Sequence, residues 1–409
     1  MFIADFHIHS KYSRATSKEM DIENLSKWAK IKGVNLLGTG DFTHPDWLRE
    51  LKGKLEEKEY GIYRHDNILY ILTAEVSNIY FKTGKTRKIH NIIFAPSFDI
   101  AEEINSMLSQ YGNLFSDGRP ILGLESDKMV KALTKIDKDI FVVPAHVWTP
   151  HFGLFGANSG FDSIEECFGD MTDKIYSLET GLSSDPAMNW RWSSLDRFCL
   201  MSNSDAHSPS KIGREANVFR QKFGYRELMK ILKEKDKNKF LYTVEFYPEE
   251  GKYHLDGHRK CGARLSPEES KNLNDRCPKC GRKITIGVMN RVGKLSDREK
   301  GFVPGNAPSY KSLVPLIEII ASALGVGKES QAAEREYNLL INKMGSEFKI
   351  LLEASDEKIK KECPENIARG ILNVREGNVE IVPGYDGVYG KVSVYKEGGE
   401  KKEKQLELF

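Results

Sequence analysis

The sequence predicts an α/β fold, in which a parallel sheet with intervening helices closes into a barrel and two smaller parts follow. Apolar runs typical of buried strands alternate with amphipathic helices from the N-terminus to about residue 245. Polar residues follow these runs directly, at the strand ends where such barrels place their chemistry. After Pro248 the chain becomes polar, basic and rich in glycine and cysteine, and helical spacing of apolar residues returns from Tyr310. We therefore expect a barrel, a small cysteine-containing module and a helical or mixed C-terminal domain.

The strands are predicted from their apolar runs, and the first helix is predicted from its end signals. Asp21 precedes a stripe of apolar residues at helical spacing and is typical of a helix cap, whereas Gly33 is typical of the residue that ends a helix. The apolar runs lie at 2–6, 34–38, 68–73, 89–95, 140–144, 175–178, 198–201 and 241–246. About seven strands with helices between several of them fit a closed barrel.

Length, composition and charge divide the chain into four parts. The 409 residues exceed one ordinary domain, and 40% hydrophobic residues can build real cores. We predict a metal-dependent catalytic barrel at 1–245, a basic zinc-ribbon module at 246–305, a C-terminal α+β DNA-binding region at 306–396 and a flexible tail at 397–409. The net charge is only +2, but residues 252–300 hold thirteen lysines and arginines against six aspartates and glutamates, which suits a phosphate backbone. Neither a signal peptide nor an apolar run of about 18 residues is present, so we expect a cytoplasmic protein without a membrane partner.

Two short motifs frame the predicted barrel and carry its most informative side chains. His7 and His9 follow the first apolar run two residues apart, and Asp205 and His207 repeat that spacing after the run at 198–201. The period of two in a strand places both members of each pair on one face. Two strands that each bring a pair of ligand side chains to one end of a sheet predict a polynuclear metal site.

Further imidazole and carboxylate groups stand at the other strand ends. They include Asp41, Glu75, His90 and His146. With the two motifs this makes seven or eight ligands, too many for one tetrahedral ion but suited to two or three divalent metals. Such clusters polarise a phosphate and activate a water near neutral pH. No nucleophilic triad or glycine-rich phosphate loop competes, so the sequence favours metal-assisted hydrolysis.

These motifs, in this order, resemble those of the polymerase-and-histidinol-phosphatase (PHP) superfamily. The resemblance implies a distorted seven-stranded (β/α) barrel with two or three divalent metals (Zn, Mn, Mg or Fe), in which Glu75 bridges two of them. It assigns as ligands His7, His9, Asp41, Glu75, His90, His146, Asp205 and His207. One position departs from the family pattern, because Phe42 stands where a histidine is usual. Asp41 would then take over that ligand role, and His44 would be either an additional ligand or a substrate contact.

The basic module contains the spacing of a zinc ribbon. His258 and Cys261 form one pair with two residues between them, Cys277 and Cys280 form a second, and 15 residues separate the pairs. Such spacing in a reducing compartment indicates one structural zinc ion rather than disulfides. His254 is an alternative to His258 with less suitable spacing.

Together, the barrel, the ribbon and the C-terminal part resemble the endonuclease Q family of archaeal and bacterial repair nucleases. Longer matching segments lie at 38–41, 144–150 and 314–320. The resemblance implies a prokaryotic, nucleoid-associated and monomeric enzyme. It would cut damaged DNA 5′ to uracil, hypoxanthine, xanthine or an abasic site, using a metal-activated hydroxide with the base flipped into a pocket. The alternatives are a PHP-type phosphoesterase acting on a small phosphorylated substrate and, less favoured, a non-enzymatic DNA-binding adaptor.

Two further sets of residues are predicted to contact partners. Aromatic, polar and basic residues near the metals and on the module are candidates for DNA and lesion binding: Lys11, Tyr12, Ser13, His44, Trp148, Phe152, Arg191, Trp192, Arg259 and Lys260. The last five residues resemble the short peptide with which bacterial replication proteins bind the sliding clamp. In that peptide Gln405, Leu408 and Phe409 would be the anchors.

Overall fold

The computed structural model describes residues 1–395, and the predicted clamp-binding peptide lies outside them. The N-terminal part contains twelve strands and seven α-helices. The strands are β1 (Phe2–Asp5), β2 (Leu36–Gly38), β3 (Glu56–Glu59), β4 (Ile62–His65), β5 (Ile68–Lys82), β6 (Lys85–Ala95), β7 (Ile121–Leu122), β8 (Phe141–Pro144), β9 (Ser177–Glu179), β10 (Cys199–Met201), β11 (Ala216–Phe219) and β12 (Phe240–Glu245). The helices are α1 (Ile22–Lys32), α2 (Pro45–Lys54), α3 (Phe98–Leu108), α4 (Ser126–Ile136), α5 (Ile164–Phe168), α6 (Pro186–Asn189) and α7 (Tyr225–Glu234).

Seven of these strands form a ring, in the order β1, β2, β5, β6, β8, β9 and β10. Backbone ladders join β1 to β2, β2 to β5, β5 to β6, β6 to β8, and β9 to β10. The Val147 N–H donates to the Glu179 carbonyl at 3.0 Å and links the ends of β8 and β9. A parallel bridge between Ile8 and Ala206 returns β10 to the end of β1. The predicted fold class, an α/β barrel of seven strands, is therefore confirmed.

The sheet differs from the prediction in the direction of some strands. β6 runs antiparallel to both β5 and β8. The two-residue turn Thr83–Gly84, with φ of 53° and 76°, joins β5 to β6 as a hairpin and leaves no room for a crossover helix. The last predicted strand, β12, lies outside the ring, where it pairs with β11. Apolar runs show where strands occur but not which strands turn back on themselves.

The predicted ends of α1 are confirmed. The Asp21 carboxylate accepts the Asn24 N–H at 2.9 Å and caps the helix. Gly33 adopts φ +87°, and a β-carbon there would come within 2.5 Å of the Ser346 hydroxyl. This glycine is thus required both for the left-handed turn and for the close approach of the C-terminal region.

The remaining elements form the module and the C-terminal region. They are β13 (Asp256–His258), β14 (Ala263–Leu265), α8 (Pro267–Asn272), α9 (Val288–Leu295), β15 (Ser309–Ser312), α10 (Leu316–Leu324), α11 (Gln331–Met344), α12 (Asp356–Glu362), α13 (Glu365–Arg375), β16 (Glu380–Val382) and β17 (Lys391–Ser393). β15 adds to β12 in parallel and so extends the barrel sheet. Within residues 1–395, no helix is long and apolar enough to span a bilayer. The exact division into four parts stays a prediction.

Hydrogen bonds at several points attach the module to its neighbours. The buried Arg291 of α9 donates to the carbonyls of Phe155 and Phe161 in the barrel, at 2.8 and 2.7 Å. The Asp386 carboxylate, in the loop between β16 and β17, accepts the Arg259 N–H and the Thr285 hydroxyl, both at 2.6 Å. The module is therefore held between the barrel and the C-terminal hairpin.

A buried ion pair joins the barrel to the C-terminal region, and we expect Glu347→Ala to destabilise the protein by about 3–5 kcal/mol. Glu347 accepts the Lys32 ammonium of α1 at 2.6 Å and the Tyr337 hydroxyl at 2.7 Å. The substitution leaves the Lys32 charge buried without a partner. Urea-induced unfolding measures the loss, and Glu102→Ala, which breaks the exposed pair with Lys52, should change stability by less than about 1 kcal/mol.

The same pair predicts how stability depends on pH. Burial raises the pKa of Glu347, but Lys32 and the hydrogen bonds to it outweigh burial and hold that pKa below its ordinary value. A carboxyl whose pKa is lower in the folded protein stabilises it above the ordinary glutamate pKa, and this contribution disappears as the pH falls toward the lowered value. Glu347→Ala should therefore flatten the acid limb of the stability profile; an unchanged limb would contradict this account.

Candidate metal centre

The first group of candidate ligands combines both framing motifs with Glu75. One ligand atom from each of His7, His9, Glu75 and Asp205 lies within 4.8 Å of the others. His9 Nε2 is 3.2 Å from Glu75 Oε2 and 3.1 Å from Asp205 Oδ1, and His7 Nε2 is 3.4 Å from Glu75 Oε2. The two motifs, almost two hundred residues apart in sequence, therefore meet at one point.

A second group shares Glu75 with the first. Glu75 Oε1 is 2.6 Å from His90 Nδ1 and 2.9 Å from His146 Nε2. One carboxylate thus presents one oxygen to each group, which is the arrangement expected of a residue that bridges two metal ions. β5 supplies Glu75 and β6 supplies His90, so the unpredicted hairpin brings these two ligands together.

The donor set of these groups fits divalent metal ions. His7 Nε2 is fully buried and has no hydrogen-bond partner among the described residues, which is costly unless something else occupies that lone pair. Buried carboxylate oxygens and imidazole nitrogens face each other in both groups, and such mixed sets bind first-row divalent ions. The residues present therefore fit the metals that the fold family implies, although they do not identify the ion or the number bound.

Opposite charges in the centre control its pKa values. Burial lowers the pKa of His7 and His9, but neighbouring carboxylates outweigh burial and hold both pKa values well above the ordinary range. Burial raises the pKa of Asp205, but the two histidines hold it well below its usual value. At His90, by contrast, burial outweighs the neighbouring Glu75 carboxylate and lowers the pKa to about 4. The carboxylates of Asp205 and Glu75 are therefore ionised, and a metal ion that binds here would displace the protons of the histidines.

Two of the candidate ligands sit on strained backbone. His146 has φ +30° and Asp205 has φ +47°, in the left-handed region that residues other than glycine rarely adopt. His146 lies in the segment that follows β8, and Asp205 lies in the segment that follows β10. Such strain is common where a site fixes the direction of its side chains.

The two motifs are also tied to each other behind the ligands. The buried Asp5 carboxylate accepts the N–H groups of Ser204 and Gly213 at 3.1 and 3.0 Å. In return, Asn203 accepts the Phe6 N–H at 2.9 Å. These bonds fix the spacing between the first and last ligand pairs.

Glu179 is a functional candidate that the sequence reasoning did not identify. Its buried carboxylate lies 3.0 Å from His7 Nδ1, and it accepts the His146 N–H at 2.8 Å and the Asn203 amide at 2.9 Å. It therefore orients one ligand from each group through the atoms that face away from the centre. The signal was present, because Glu179 directly follows the apolar run at 175–178, as the other site residues follow theirs.

We expect Glu179→Gln to weaken divalent-metal affinity by about 10–100-fold, because partners that orient ligands typically contribute this much. Glutamine keeps the size of the side chain but removes the charge beside His7 Nδ1 and presents only one acceptor oxygen. Titration with Mn²⁺ followed by calorimetry measures the effect. Glu166→Gln, at the exposed start of α5, is the control that should bind Mn²⁺ as the wild type does.

Asp41 does not belong to either ligand group. Its Oδ1 is 3.0 Å from His9 Nδ1, on the side of the ring that faces away from Glu75. Its Oδ2 accepts the N–H and hydroxyl of Ser10 and the hydroxyl of Ser13. The prediction that Asp41 is a ligand is not supported by this geometry; it holds His9 in place, as Glu179 holds His7.

Phe42, His44 and His207 lie outside both ligand groups. Phe42 is fully buried in the hydrophobic core, so the ring that replaces the expected histidine contributes packing. His44 is buried and stacks on Tyr12 with ring centroids 4.4 Å apart, and it joins neither group. His207 is closer, with its ring 4.5 Å from that of His9, but it too lies outside both groups.

An open cavity of about 510 Å³ lies against the candidate ligands. Its wall includes the ligands His90, His146 and Asp205 together with Phe152, which covers the His90 ring at a centroid distance of 4.5 Å. Phe152 is thus the lesion-binding candidate that the structure brings to the centre.

Several other predicted contact residues are engaged elsewhere. Trp148 and Trp192 are buried and pack together through Phe155, so they belong to the core and do not offer a stacking surface. Ser13 donates its hydroxyl to Asp41. Lys11 is paired with Glu50 at 2.9 Å. Tyr12 remains partly exposed beside His44, and Arg191, Arg259 and Lys260 lie on or next to the module at partly or fully exposed positions.

Arg119 is a second residue that the sequence reasoning missed. It lies in the loop between α3 and β7, lines the cavity, and donates from Nη1 to Glu75 Oε2 at 3.1 Å. No apolar run precedes it, so nothing in the local sequence pattern marks it. Its approach to Glu75 depends on the path of the loop and is visible only in the folded chain.

The predicted zinc ligands also converge. Ligand atoms of His258, Cys261, Cys277 and Cys280 all lie within 4.8 Å of one another, with Cys280 Sγ 3.4 Å from His258 Nδ1. His254 points elsewhere and is not part of this group, which resolves the alternative in favour of His258. Burial raises the pKa of Cys277, but the N–H groups of Lys279 and Cys280 lower it to about 6, so the thiolate is available at neutral pH.

Comparisons with known sequences match either part of the chain or nearly all of it. A family model described as the MJ0043 C-terminal domain matches residues 315–378. The uncharacterized protein MJ0043 of Methanocaldococcus jannaschii is 35% identical over 254 residues, which is 60% of this chain but 31% of MJ0043, so the chain spans about a third of that relative. The uncharacterized protein YqxK of Bacillus subtilis is 29% identical over 408 residues, covering 95% of this chain and 98% of YqxK.

Two solved structures superpose on nearly the entire molecule. The lesion-specific endonuclease PfuEndoQ of Pyrococcus furiosus has a TM-score of 0.86 and 33% identity, covering 96% of this chain and 95% of PfuEndoQ. Endonuclease Q in complex with a 27-mer duplex substrate, with an abasic lesion at the active site, has a TM-score of 0.86 and 34% identity, covering 99% of both chains. On this identity and coverage, the chain belongs to the endonuclease Q family.

Proposed function

We propose that this DNA repair endonuclease hydrolyses the phosphodiester on the 5′ side of a deaminated base (uracil, hypoxanthine or xanthine) or of an abasic site. The observation that carries the proposal is the bridging geometry of Glu75, which joins two ligand groups at the wall of an open cavity. Family membership supports the substrate class, because one relative holds a duplex with an abasic lesion at its active site.

Two or three divalent ions, of Zn, Mn, Mg or Fe, would be held at this centre. His7, His9 and Asp205 would hold one with Glu75, and His90 and His146 would hold another. His207, beside His9, is available to a third. Ions bound there would supply positive charge to the phosphate and lower the pKa of a water molecule.

The residues of the chain would position these groups and the substrate. Glu179 and Asp41 fix the rings of His7 and His9 from behind, and the Thr149 hydroxyl lies 2.9 Å from His146 Nδ1. The cavity is within the size range of sites that enclose small ligands, about 300–1,000 Å³, so it can receive one flipped base. Phe152 offers that base an aromatic face, and Ser183 offers it a hydroxyl at the cavity wall.

The decisive experiment supplies the purified protein with Mn²⁺ or Mg²⁺ and end-labelled duplexes that carry one uracil, hypoxanthine, xanthine or abasic site, or none. We expect a single nick 5′ to each lesion, with a 3′-hydroxyl that a polymerase extends and a 5′-phosphate that a ligase accepts. We expect the duplex without a lesion to remain uncut. Hydrolysis of small phosphomonoesters with every duplex left intact would instead favour the small-molecule phosphoesterase.

A further inference from the structure

Arg119 places a positive charge inside the cavity, next to the bridging carboxylate. Among the described residues, Glu75 is the one side chain to which its guanidinium donates. The Arg119 side chain is 25% exposed, and the exposed portion faces the same cavity as Asp205 and His146. A guanidinium has five N–H donors, so most of its hydrogen-bonding capacity remains for a ligand in the cavity.

The backbone that carries Arg119 is firmly held. The Gly118 N–H donates to the Tyr12 carbonyl and the Thr43 hydroxyl donates to the Gly118 carbonyl, both at 3.0 Å. The Arg119 N–H donates to Asp117 Oδ1 at 3.1 Å. A β-carbon on Gly118 would come within 2.3 Å of Asp41, so the loop packs directly against the centre. Arg119 is therefore positioned before any substrate arrives.

Arg119 and a divalent ion would use the same oxygen. Glu75 Oε2 is the atom that Arg119 contacts, and it is also the Glu75 atom nearest to His7 and His9 in the first ligand group. An ion bound by that group would compete for this oxygen, and the Arg119 donors would then be available to an anion in the cavity. Arginine suits this role because its fork of donors matches two oxygens of a phosphate.

We propose that Arg119 binds the non-bridging oxygens of the scissile phosphate in the metal-loaded enzyme. The inference rests on the proposed function, since it assumes a phosphodiester substrate in this cavity. It makes Arg119 a substrate-binding residue that would exchange its contact with Glu75 for contacts with the phosphate. The competing explanation is that Arg119 only holds Glu75 in place.

The two explanations differ in what Arg119→Gln does to metal binding. If Arg119 binds phosphate, the loss of a cation beside Glu75 leaves Mn²⁺ affinity unchanged or increases it. Hydrolysis of bis(p-nitrophenyl) phosphate then falls by about 10²-fold, as when one charge-stabilising donor is lost. Inhibition by inorganic phosphate weakens by about tenfold or more, as expected for a lost charge-assisted hydrogen bond. Arg119→Lys should recover part of both, because it keeps the charge but not the fork.

Mn²⁺ affinity that falls together with activity would overturn the proposal in favour of a structural role, as would unchanged phosphate inhibition. Arg226→Gln is the matched control, because Arg226 pairs with Asp139 on the outer surface and should leave all three measurements unchanged. The small diester keeps this test separate from the proposed function. A wild-type protein that hydrolyses it but cuts no damaged duplex would refute the DNA substrate and still report on Arg119.

Discussion

Asp205→Asn should reduce phosphodiester cleavage by at least about 100-fold while the barrel stays folded. Partners that merely orient a metal ligand typically contribute 10–100-fold, and Asp205 is placed in the first ligand group itself, 3.1 Å from His9 Nε2. Asparagine has the same shape but carries no charge to balance a divalent ion. Arg214 and His207 also lie within hydrogen-bonding distance of the backbone carbonyl of Asp205, and these contacts survive the substitution.

Two measurements separate a lost metal site from a lost fold. Circular dichroism should give the same spectrum for Asp205→Asn and the wild type. Saturating Mn²⁺ should stabilise the wild type by about 2.7 kcal/mol at one hundred times its Kd, whereas the variant should gain much less at the same concentration. Asp173→Asn, at an exposed surface pair with Arg197, is the control. Full nicking by Asp205→Asn would show that the centre described here is not the site of the reaction.

The first framing motif was predictable because strand geometry is local, whereas only Asp205 of the second motif enters a ligand group and His207 stays outside both. Alternation along a strand places His7 and His9 on one face, and both enter the first ligand group. The rule that ligands accompany apolar runs also led to Glu75, His90 and His146. Only His146 lies after a strand, however, because Glu75 and His90 lie inside β5 and β6 and not at their ends as predicted. Glu179 also follows an apolar run directly, so the sequence contained the signal that would have identified it.

Other features of the site depend on contacts between residues that are distant in sequence, so local sequence patterns did not predict them. The position of Asp41 after an apolar run identifies it as a site residue, but it does not show on which side of the His9 ring the carboxylate lies. That side decides whether Asp41 binds a metal ion or positions His9. Arg119 reaches Glu75 only because Gly118 lets its loop pack against Asp41. The antiparallel course of β6 depends on a two-residue turn that has no strong glycine–asparagine signal. Amino-acid patterns therefore identified the candidate metal ligands better than the residues that position those ligands.

Cys277→Ser should abolish zinc binding by the four converging ligands and unfold the module while the barrel remains intact. The buried hydrophobic residues of this cluster are only Ala263, Leu265, Cys277 and Ile284, too few to fold a segment of this size without a metal. Serine keeps the shape of cysteine, but its hydroxyl stays protonated at neutral pH and cannot replace the thiolate. Zinc content should fall to background, and trypsin should cleave within 252–287, where the wild type resists.

Loss of the zinc site should spread to the C-terminal hairpin and to DNA binding, but not to the chemistry. The loop between β16 and β17 is fastened to the module through Asp386, which contacts Arg259 and Thr285, so hydrogen exchange there should accelerate. Affinity for duplex DNA should fall as the basic surface loses its order, while hydrolysis of a small diester should persist because the module supplies none of the candidate metal ligands in the barrel. Cys261→His keeps four nitrogen and sulfur donors and should retain zinc and protease resistance. Equal loss of duplex cleavage and small-diester hydrolysis in Cys277→Ser would instead mean that the module supports the fold of the metal centre.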